Sequence, residues 1–507
     1  MNKNNNKILN FKDLNSFRLK NKKSKIILCH GTFDFLHYGH LLHFKKAKEF
    51  GDILIVSLTS DKFVNKGPKR PFYNQNQRLN QISFLENVDY VCLSDFQTGV
   101  EIIRELKPDI YVKGRDYINN KSDKTKGIYK EIRELKKNKG RIKYTTEETF
   151  SSTRIINDYS TLISEENKNF IHKLKKKVSI NEIHDAIEKI NNVDLLVLGE
   201  PIIDTYIYCN PIGISSKNPS IAVKKTSKID FVGGSLAIAN NLIKLGCNVN
   251  LITINNSENY YKKAIKTKLL NNINHIEIID KNITTPRKTR YFSNVANQKI
   301  FELVDLNHNY IDSSRIKFKD LINESLKSNK LTLIADFGHG LFESTTLNFI
   351  KNLNSFKCIN VQSNSENYGF NTFDKYHNKF DYLCIDEKEL RYGFKDRYSS
   401  VEKLISKIPN KGDISITLGT KGSLFKKKGK KLIRTPIFFD NVKDTLGSGD
   451  AYFSITSALN FLNINEHITS FLGNVYAGLS TQFIANSDST EISKLHKSVE
   501  SIYNISD

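Results

Sequence analysis

Short apolar runs separated by amphipathic stretches follow one another along residues 24–160. The runs predict strands, which we place at Ile26–Cys29, Ile53–Leu58, Tyr90–Leu93, Ile110–Val112 and Arg141–Tyr144. Between them, apolar positions at helical spacing predict helices near residues 41–50, 75–87, 99–107 and 126–138. Strands that alternate with helices predict an α/β fold with a doubly wound parallel sheet, whose ligands lie at the carboxyl ends of the strands.

The pattern changes after this first domain. Residues 161–190 are rich in Lys, Glu and Asn and have few apolar positions, which predicts a helical linker. A new apolar strand, Asp194–Gly199, begins a second α/β domain that we expect over residues 191–505. More than one domain is also the default expectation for a chain of 507 residues.

The composition is that of a globular protein, with 39% hydrophobic residues. No apolar run approaches the roughly 20 residues that a membrane span requires. The polar segment Met1–Asn10 lacks the apolar core of an export signal. Six scattered cysteines show no metal-binding spacing, so we expect reduced thiols in a cytoplasmic protein.

The chain is strongly basic, with a formal net charge of +23. A basic surface can bind nucleic acid. However, clusters such as Lys426–Lys431 lack the interleaved aromatic residues that stack on bases. We therefore expect anionic small-molecule substrates and no nucleic-acid partner.

Two histidines, His37 and His40, stand on either side of Gly39 where the first strand gives way to a helix. A helix N-terminus offers free N–H groups and a positive dipole end, and the imidazoles add donors for charge that develops on a phosphate. A zinc site is not indicated, because the metalloprotease pattern needs histidines at i and i+4 with a glutamate between them. The segment predicts a site for nucleotide phosphates.

Other segments of the first domain could complete such a site. The loop Lys66–Pro71 is rich in cations, and Arg78 lies near the start of a predicted helix. Lys113–Tyr117 follows the fourth predicted strand, where a ligand-contacting loop is expected. Thr149–Arg154 offers hydroxyls and N–H groups at another helix start.

These motifs, read as G-T-F-D-F-L-H-Y-G-H, K-G-x-x-R-P, V-K-G-R-D-Y and S-S-T-R-I-I, make residues 24–160 resemble the cytidylyltransferase-type nucleotidyltransferases. Within them the adenylyltransferase half of bifunctional ADP-heptose synthases is the most similar. The resemblance implies that His37 and His40 act in catalysis on the nucleotide phosphates. It further implies nucleotide-binding roles for Gly31, Thr32, Phe33, Lys66, Arg78, Lys113, Ser151, Ser152 and Thr153. The last motif reads S-S-T where the family more often has S-T-T.

In the second domain the segment Asp444–Ala451 reads D-T-L-G-S-G-D-A and precedes a long apolar stretch. Glycines before a helix form an N–H cradle for a phosphate. Asp450, at the start of that helix, can accept a proton from a substrate hydroxyl, as phosphoryl transfer requires. Upstream, Ile416–Gly422 predicts a strand followed by a glycine turn suited to a triphosphate.

Residues 194–505 resemble the ribokinase-like (PfkB) carbohydrate kinases, including the kinase half of ADP-heptose synthases. The resemblance implies that Asp450 is the catalytic base. It implies nucleotide-binding roles for Thr417, Gly419, Gly422, Gly447, Ser448, Gly449 and Asn474. It assigns sugar binding to Asp204, Gly233 and Gly234, and it places Asp386 and Glu389 where the family has a metal-linked Asn-x-x-Glu motif.

The second domain departs from that family on the sugar side. Ala237 stands where an asparagine normally binds sugar hydroxyls, and Gly199-Glu200-Pro201 replaces a Gly-Asp turn. Asn360–Ser365 replaces a segment that often reads Asp-Pro-x-Gly. The nucleotide side therefore matches the family, whereas the sugar side is altered.

The resemblances together predict a bifunctional enzyme that makes a nucleotide-activated, ADP-heptose-like sugar, with its two domains in the reverse of the expected order. Mg²⁺ would accompany ATP or CTP, no dedicated metal site is expected, and a homodimer is possible by analogy. Two alternatives stay open. The first domain could be a CTP-dependent enzyme for glycerol phosphate or a similar polyol phosphate. The kinase-like domain could be a sugar-sensing or scaffold module without turnover.

Overall fold

The computed structural model describes residues 7–64, 71–114, 127–145, 164–215, 218, 220–294, 298–307, 309–377, 379–409, 412–440 and 442–504. The chain divides into two compact units. The first comprises residues 1–172 with 496–507, and the second comprises residues 173–495. No helix among the described residues is both long and apolar enough to cross a membrane.

The first unit contains a parallel sheet. Its strands are β1 (Ile8–Leu9), β2 (Ile26–Gly31), β3 (Ile53–Thr59), β4 (Tyr90–Ser94), β5 (Ile110–Lys113) and β6 (Arg141–Tyr144), in the order β1-β4-β3-β2-β5-β6. Its helices are α1 (Leu14–Lys20), α2 (Tyr38–Lys48), α3 (Gln75–Ser83), α4 (Val100–Leu106) and α5 (Gly127–Lys137). The five predicted strands and the four predicted helices are confirmed. The short strand β1 was missed, because two residues carry no periodicity.

The central strand β2 shows why the predicted runs are continuously apolar. Ile27 and Cys29 pack on one face of the sheet with Phe44 of α2. Ile26 and Leu28 pack on the other face with residues of α4 and α5. A parallel sheet covered by helices on both faces buries every position of its central strands.

Two helices, α6 (Glu165–Lys175) and α7 (Ile180–Ile190), occupy the segment predicted as a helical linker. Ser179 and Glu182 form a capping box at the start of α7. The α7 helix buries Ile183, Ile187 and Ile190, and the Cys247 thiol approaches the Ile190 carbonyl. The second helix is therefore packed as an element of the second unit.

The second unit contains two sheets. In chain order its strands are β7 (Asp194–Gly199), β8 (Pro201–Ile214), β9 (Ile221–Gly234), β10 (Asn248–Asn255), β11 (Asn274–Ile279), β12 (Thr284–Ser293), β13 (Gln298–Asn307), β14 (Leu331–Asp336), β15 (Phe356–Val361), β16 (Tyr382–Asp386), β17 (Asp413–Thr417), β18 (Ser423–Lys426) and β19 (Ile433–Thr435). The large sheet has the order β11-β10-β7-β14-β15-β16-β17-β18-β19 and is parallel up to β17. The four-stranded sheet has the order β13-β12-β8-β9.

The described residues after β7 also form α-helices. They are α8 (Ser235–Lys244), α9 (Asn259–Lys268), α10 (Asp312–Ser325), α11 (Ser344–Lys351), α12 (Glu387–Phe394), α13 (Val401–Lys407), α14 (Ser448–Phe461), α15 (Glu466–Ser480) and α16 (Ile492–Tyr503), the last of which crosses the division between the units. The predicted fold class, α/β in both domains, is confirmed.

Candidate active sites

The histidine motif lies where β2 ends and α2 begins. His37 immediately precedes the helix, and its carbonyl accepts a hydrogen bond from the His40 N–H at 2.9 Å. The two imidazole rings stack with their centroids 3.8 Å apart. The structure therefore brings together, at a helix N-terminus, the two side chains that the sequence singled out.

Phe33 packs against His40 of this histidine pair. It adopts a left-handed backbone conformation, with φ of 45°, and its ring meets the His40 ring edge-on at 5.4 Å. A side chain on Gly31 would come within 3.1 Å of the Phe33 ring. Gly31 thus leaves room for the ring that positions His40.

Lys113 ends β5, the strand beside β2, and its ammonium is held by two neighbours. It lies 3.3 Å from Glu131 Oε2 and donates to the His30 carbonyl at 3.2 Å. Glu131 also accepts hydrogen bonds from the Tyr111 hydroxyl at 2.9 Å and the Gly99 N–H at 2.8 Å. Sequence reasoning found Lys113 but missed Glu131, since one acidic residue in a charged helix carries no distinguishing signal.

The charge in this region is carried by the Lys113–Glu131 ion pair. Burial would raise the pKa of Glu131, but Lys113 and the donated hydrogen bonds outweigh it and hold that pKa below its usual range. Burial, together with Lys113, lowers the pKa of His30 and of His43 to about 4. Both imidazoles are therefore neutral at pH 7, and they add no charge to that of the ion pair.

Arg78 is fully buried and is bonded to the protein's own chain. Its guanidinium donates to the carbonyls of Tyr73, Thr32 and Thr59 and forms an ion pair with Asp61 at 2.7 Å. In this arrangement Arg78 ties together the segments on which the histidine motif is built. A direct role toward a triphosphate stays a prediction.

Asp34 of the G-T-F-D motif is also fully buried. Its carboxylate accepts the N–H groups of Phe72 at 2.6 Å and Tyr73 at 3.2 Å, directly after the predicted cation loop. Lys66 in that loop, like Ser151, Ser152 and Thr153, lies outside the described residues.

In the second unit, Asp450 occupies the first turn of α14 and is only 8% exposed. Burial raises its pKa to about 7, Asp204 adds to the increase, and a hydrogen bond from Gln362 opposes it. A carboxyl that exchanges its proton near neutral pH suits a general base. Gln362 was not singled out by the sequence.

The glycines before Asp450 shape the start of α14. Gly447 has a φ of 82°, and a side chain there would clash with Asn486. A side chain on Gly449 would meet no atom within 4 Å, so open space lies over this turn. The Ser448 hydroxyl donates to the Thr445 carbonyl at 2.8 Å. The turn has the open helix N-terminus that a phosphate requires.

The predicted sugar residues lie on the four-stranded sheet. Asp204 on β8 forms an ion pair with Arg290 on β12, and Arg290 in turn contacts Glu302 on β13 at 2.8 Å. Lys288 stands opposite Asp204 in the β8–β12 register. Burial lowers the pKa of Lys288, whereas the negative charges of Asp204, Glu302 and Asp450 oppose the decrease.

Gly233 and Gly234 end β9 beside these groups. A side chain on Gly233 would clash with an Asp204 carboxylate oxygen, and one on Gly234 would lie 2.5 Å from the Glu200 carbonyl. Sequence reasoning found the glycines and Asp204 but missed Lys288 and Arg290. Lys288 and Arg290 stand at alternate positions of β12, which lie on one face of a strand, and this spacing was the available signal.

The other predicted nucleotide-binding residues of the kinase domain differ in their surroundings. Thr417 ends β17, and Gly419 and Gly422 follow it with φ of 59° and 82°. The Asn474 amide, however, donates to the Ser423 hydroxyl at 2.7 Å and the Ser470 carbonyl at 2.9 Å. Asn474 thus joins α15 to β18, and its contact with a nucleotide stays a prediction.

The Asp386-x-x-Glu389 motif forms a capping box at the start of α12. Glu389 accepts the N–H groups of Asp386 at 2.7 Å and Ser363 at 3.0 Å, so both of its oxygens hold the backbone. Burial, with Asp386, raises the pKa of Glu389 well above its usual range. Within the described ranges, no three His, Cys, Asp or Glu side chains are grouped so as to hold a metal ion.

Glu200, the departure from the Gly-Asp turn, is fully buried. Its carboxylate accepts three N–H groups from the loop after β14, those of Phe337 at 2.9 Å and of His339 and Leu341 at 3.2 Å. Burial and Asp336 raise the pKa of Glu200 to about 8. The glutamate anchors a loop at the end of the sheet.

Two families match the chain, one for each motif set. Residues 28–158 match the cytidylyltransferase-like family, and residues 193–462 match the pfkB family of carbohydrate kinases. Both resemblances inferred from the motifs are confirmed.

Similar proteins include the bifunctional protein HldE of Helicobacter pylori (strain G27), 46% identical over 103 residues, which are 20% of this chain and 22% of that protein. HldE of Campylobacter fetus is 39% identical over 117 residues, or 23% of this chain and 25% of that protein. The chain thus spans about a quarter or less of these relatives.

Similar solved structures include a ribokinase of Thermotoga maritima, with 19% identity and a TM-score of 0.45 over 61% of this chain and 99% of that chain. Phosphofructokinase-2 of Escherichia coli has 14% identity and a TM-score of 0.48 over 62% and 98%. Since the kinase match alone covers more than half of the sequence, the chain belongs to the pfkB family of carbohydrate kinases and carries a cytidylyltransferase-like domain ahead of its kinase domain.

Proposed function

We propose that this chain is a bifunctional transferase that makes a nucleotide-activated sugar. The kinase domain, over residues 191–505, phosphorylates a sugar or sugar phosphate with ATP. The domain over residues 24–160 transfers a nucleotidyl group from ATP or CTP to a sugar 1-phosphate. The observation that carries the proposal is Asp450, a buried carboxyl with a pKa of about 7 at an open helix N-terminus.

In the kinase step Asp450 accepts the proton of the sugar hydroxyl. The hydroxyl oxygen attacks the γ-phosphorus, and ADP leaves with the electrons of the broken bond. The N–H groups of Gly447 and Gly449 bind the transferred phosphate, whereas the Ser448 N–H donates to the Thr445 carbonyl at 3.2 Å. Asp204 and the glycine pair at the end of β9 hold the sugar. This assignment is supported by the charge coupling of Asp450 with Asp204 and Lys288.

In the nucleotidyl step a sugar phosphate oxygen attacks the α-phosphorus, and pyrophosphate leaves. Catalysis needs only positioning and charge stabilisation, and no covalent enzyme intermediate forms. His37 and His40 bind the phosphates during the transfer, and Lys113 supplies the nearby positive charge. Mg²⁺ would accompany ATP or CTP in both domains and would neutralise part of the triphosphate charge.

The product class we propose is ADP-heptose-like. It is supported by similar proteins that are called bifunctional HldE proteins and that match 20% and 23% of this chain. The altered sugar side, with Ala237 and Glu200, favours a sugar that differs from the one those proteins use. Six buried, unbridged cysteines support a cytoplasmic location.

We also propose that the chain forms a homodimer through its four-stranded sheet. The β8–β9 hairpin exposes Ile212, Ile214 and Ile221 by 68%, 75% and 68%. Apolar side chains that cluster at an exposed hairpin favour burial against a second copy. Light scattering of Ile214→Lys would give a monomer mass where the wild type gives a dimer.

A second function is favoured by the family match of the first domain, which is cytidylyltransferase-like and does not fix the nucleobase. In that case the domain would use CTP with glycerol phosphate or a similar polyol phosphate. The kinase-like domain would then be a sugar-sensing or scaffold module. Ala237, which stands where the family has a sugar-binding asparagine, favours this function.

ADP formation from ATP and Mg²⁺ across a panel of sugars and sugar phosphates tests the kinase assignment. We expect one member of the panel to stimulate ADP formation in the wild type and not in Asp450→Asn. Equal rates for the two proteins with every compound would reject the kinase step and favour the non-catalytic module.

A further inference from the structure

We propose that Gln362 is a positioning residue that fixes the orientation of the Asp450 carboxylate in the kinase domain. The inference rests on the proposed function, since it gives Asp450 the role of the base. Gln362 lies in the segment Asn360–Ser365, which replaces the Asp-Pro-x-Gly stretch of the family resemblance.

The Gln362 amide is placed directly at the end of β15. Its Nε2 donates to Asp450 Oδ1 at 2.9 Å and to Asn360 Oδ1 at 2.9 Å. The Asn360 amide donates onward to the Cys384 carbonyl at 2.7 Å on the neighbouring strand β16. Both hydrogens of the Gln362 amide are used, so its direction is fixed by the sheet itself.

The backbone of Gln362 is held as firmly as its side chain. Its N–H donates to the Asp336 carbonyl at 2.8 Å, and its own carbonyl accepts from the Asn371 amide at 3.0 Å. The side chain that donates to Asp450 is therefore held in place by strands β14 and β16 and by the loop that contains Asn371. A rigidly mounted donor orients its partner better than a solvent-exposed one.

This geometry gives the two carboxylate oxygens of Asp450 different tasks. Oδ1 is engaged by Gln362, which leaves Oδ2 to receive the proton of the substrate hydroxyl. The charged or titratable groups that face Asp450 are Asp204 on β8, Lys288 on β12, Cys384 on β16 and Glu389 on α12. Among them the neutral amide donor stabilises the ionised carboxylate without adding charge.

The direction of the effect follows from the hydrogen bond. A donor to a carboxylate favours its charged form and lowers the pKa. The Gln362 bond opposes the increase that burial imposes on Asp450, which keeps the pKa near 7. Loss of the donor therefore raises the pKa of Asp450, and more of the base is protonated at neutral pH.

The experiment compares wild type with Gln362→Met, which keeps the length of the side chain and removes the donor. Ser363→Ala is the matched control, because the Ser363 hydroxyl donates to the Asn371 carbonyl and not to Asp450. Two readouts are taken from pH 5.5 to 9. One is kcat and KM for ADP formation with the stimulating sugar, and the other is an infrared titration of the protonated carboxyl band that Asp450→Asn removes.

In Gln362→Met we expect the acid limb of kcat and the infrared midpoint to move alkaline by about one pH unit, with kcat roughly fivefold lower at pH 7 and recovered by pH 9. KM for ATP stays within about twofold, as does every value of Ser363→Ala. An unchanged infrared midpoint overturns the proposal, as does a kcat loss that is equal at every pH.

The infrared arm separates this proposal from the proposed function. A shifted midpoint in a protein that forms no ADP with any sugar supports the positioning role and rejects the kinase. If Gln362→Met does not fold, Gln362→Glu replaces it, because a second carboxyl beside Asp450 raises the midpoint further. An unchanged midpoint in that variant also overturns the proposal.

Discussion

Gly233 and Asp204 lie on adjacent strands so close together that a side chain at residue 233 would overlap a carboxylate oxygen of Asp204. The absence of a side chain is therefore what lets the carboxylate rest against the β9 backbone beside its partner Arg290. The position of Asp204, and with it the proposed sugar site, depends on this glycine.

Gly233→Ala should displace the Asp204 carboxylate and weaken its contacts with a sugar. We expect kcat/KM for the stimulating sugar to fall roughly ten- to hundredfold, the usual effect of unpairing one polar group in a binding site. Steady-state ADP formation measures it. Pyrophosphate release by the first domain serves as the internal control, and an equal loss there would indicate general misfolding.

Asp450→Asn should abolish ADP formation and stabilise the fold at alkaline pH. The folded pKa of about 7 exceeds the ordinary value of 3.8, so the native state binds more protons than the unfolded state between those pH values. Stability contributed by this group is thus present at low pH and is lost as pH rises toward 7. Thermal melts should show Asn stabilising by about 1–3 kcal/mol at pH 8 and little at pH 4; equal effects at both pH values would contradict this.

Glu131→Gln should impair the nucleotidyl step, because Lys113 loses the buried carboxylate that holds it. We expect KM for the nucleoside triphosphate to rise about tenfold, with a loss of stability of about 2–4 kcal/mol from the unpaired cation. The matched control is Glu134→Gln, one turn along α5, whose partners Arg104 and Lys137 are exposed. That variant should stay within twofold in KM. Equal behaviour of the two variants would refute the role of Glu131.

A substitution of Arg78 distinguishes a structural role of this arginine from a role in binding the triphosphate. Arg78→Lys keeps the charge but cannot reproduce the bonds to three carbonyls and Asp61. We expect the melting temperature of the first unit to fall by several degrees, corresponding to about 2–4 kcal/mol. A variant with wild-type melting and a raised KM for the triphosphate would instead assign Arg78 to the ligand.

Sequence patterns predicted the first sheet well because each central strand is buried on both faces. Ile26–Cys29 is apolar at every position, so this part of β2 could be predicted directly, whereas His30 and Gly31 at its end were not included. The histidine pair could be predicted equally well, since His37 and His40 are three residues apart at the start of one helix. Local spacing was enough to place them together.

Contacts between distant segments could not be predicted in the same way. Arg78 binds the carbonyls of Thr32 and Thr59, which belong to other elements. Glu131 and Gln362 contact Lys113 and Asp450, which are distant in sequence and come near them only in the folded chain. No periodicity encodes such pairings, and their discovery required the folded structure.

The most direct test of the central claim is pyrophosphate release by the purified chain with Mg²⁺, offered ATP or CTP together with sugar 1-phosphates or glycerol 3-phosphate. We predict that pyrophosphate is released with a sugar 1-phosphate and ATP, that His40→Asn loses this release and that Asp450→Asn retains it. Release only with CTP and glycerol 3-phosphate would contradict it and would assign the first domain to polyol phosphates.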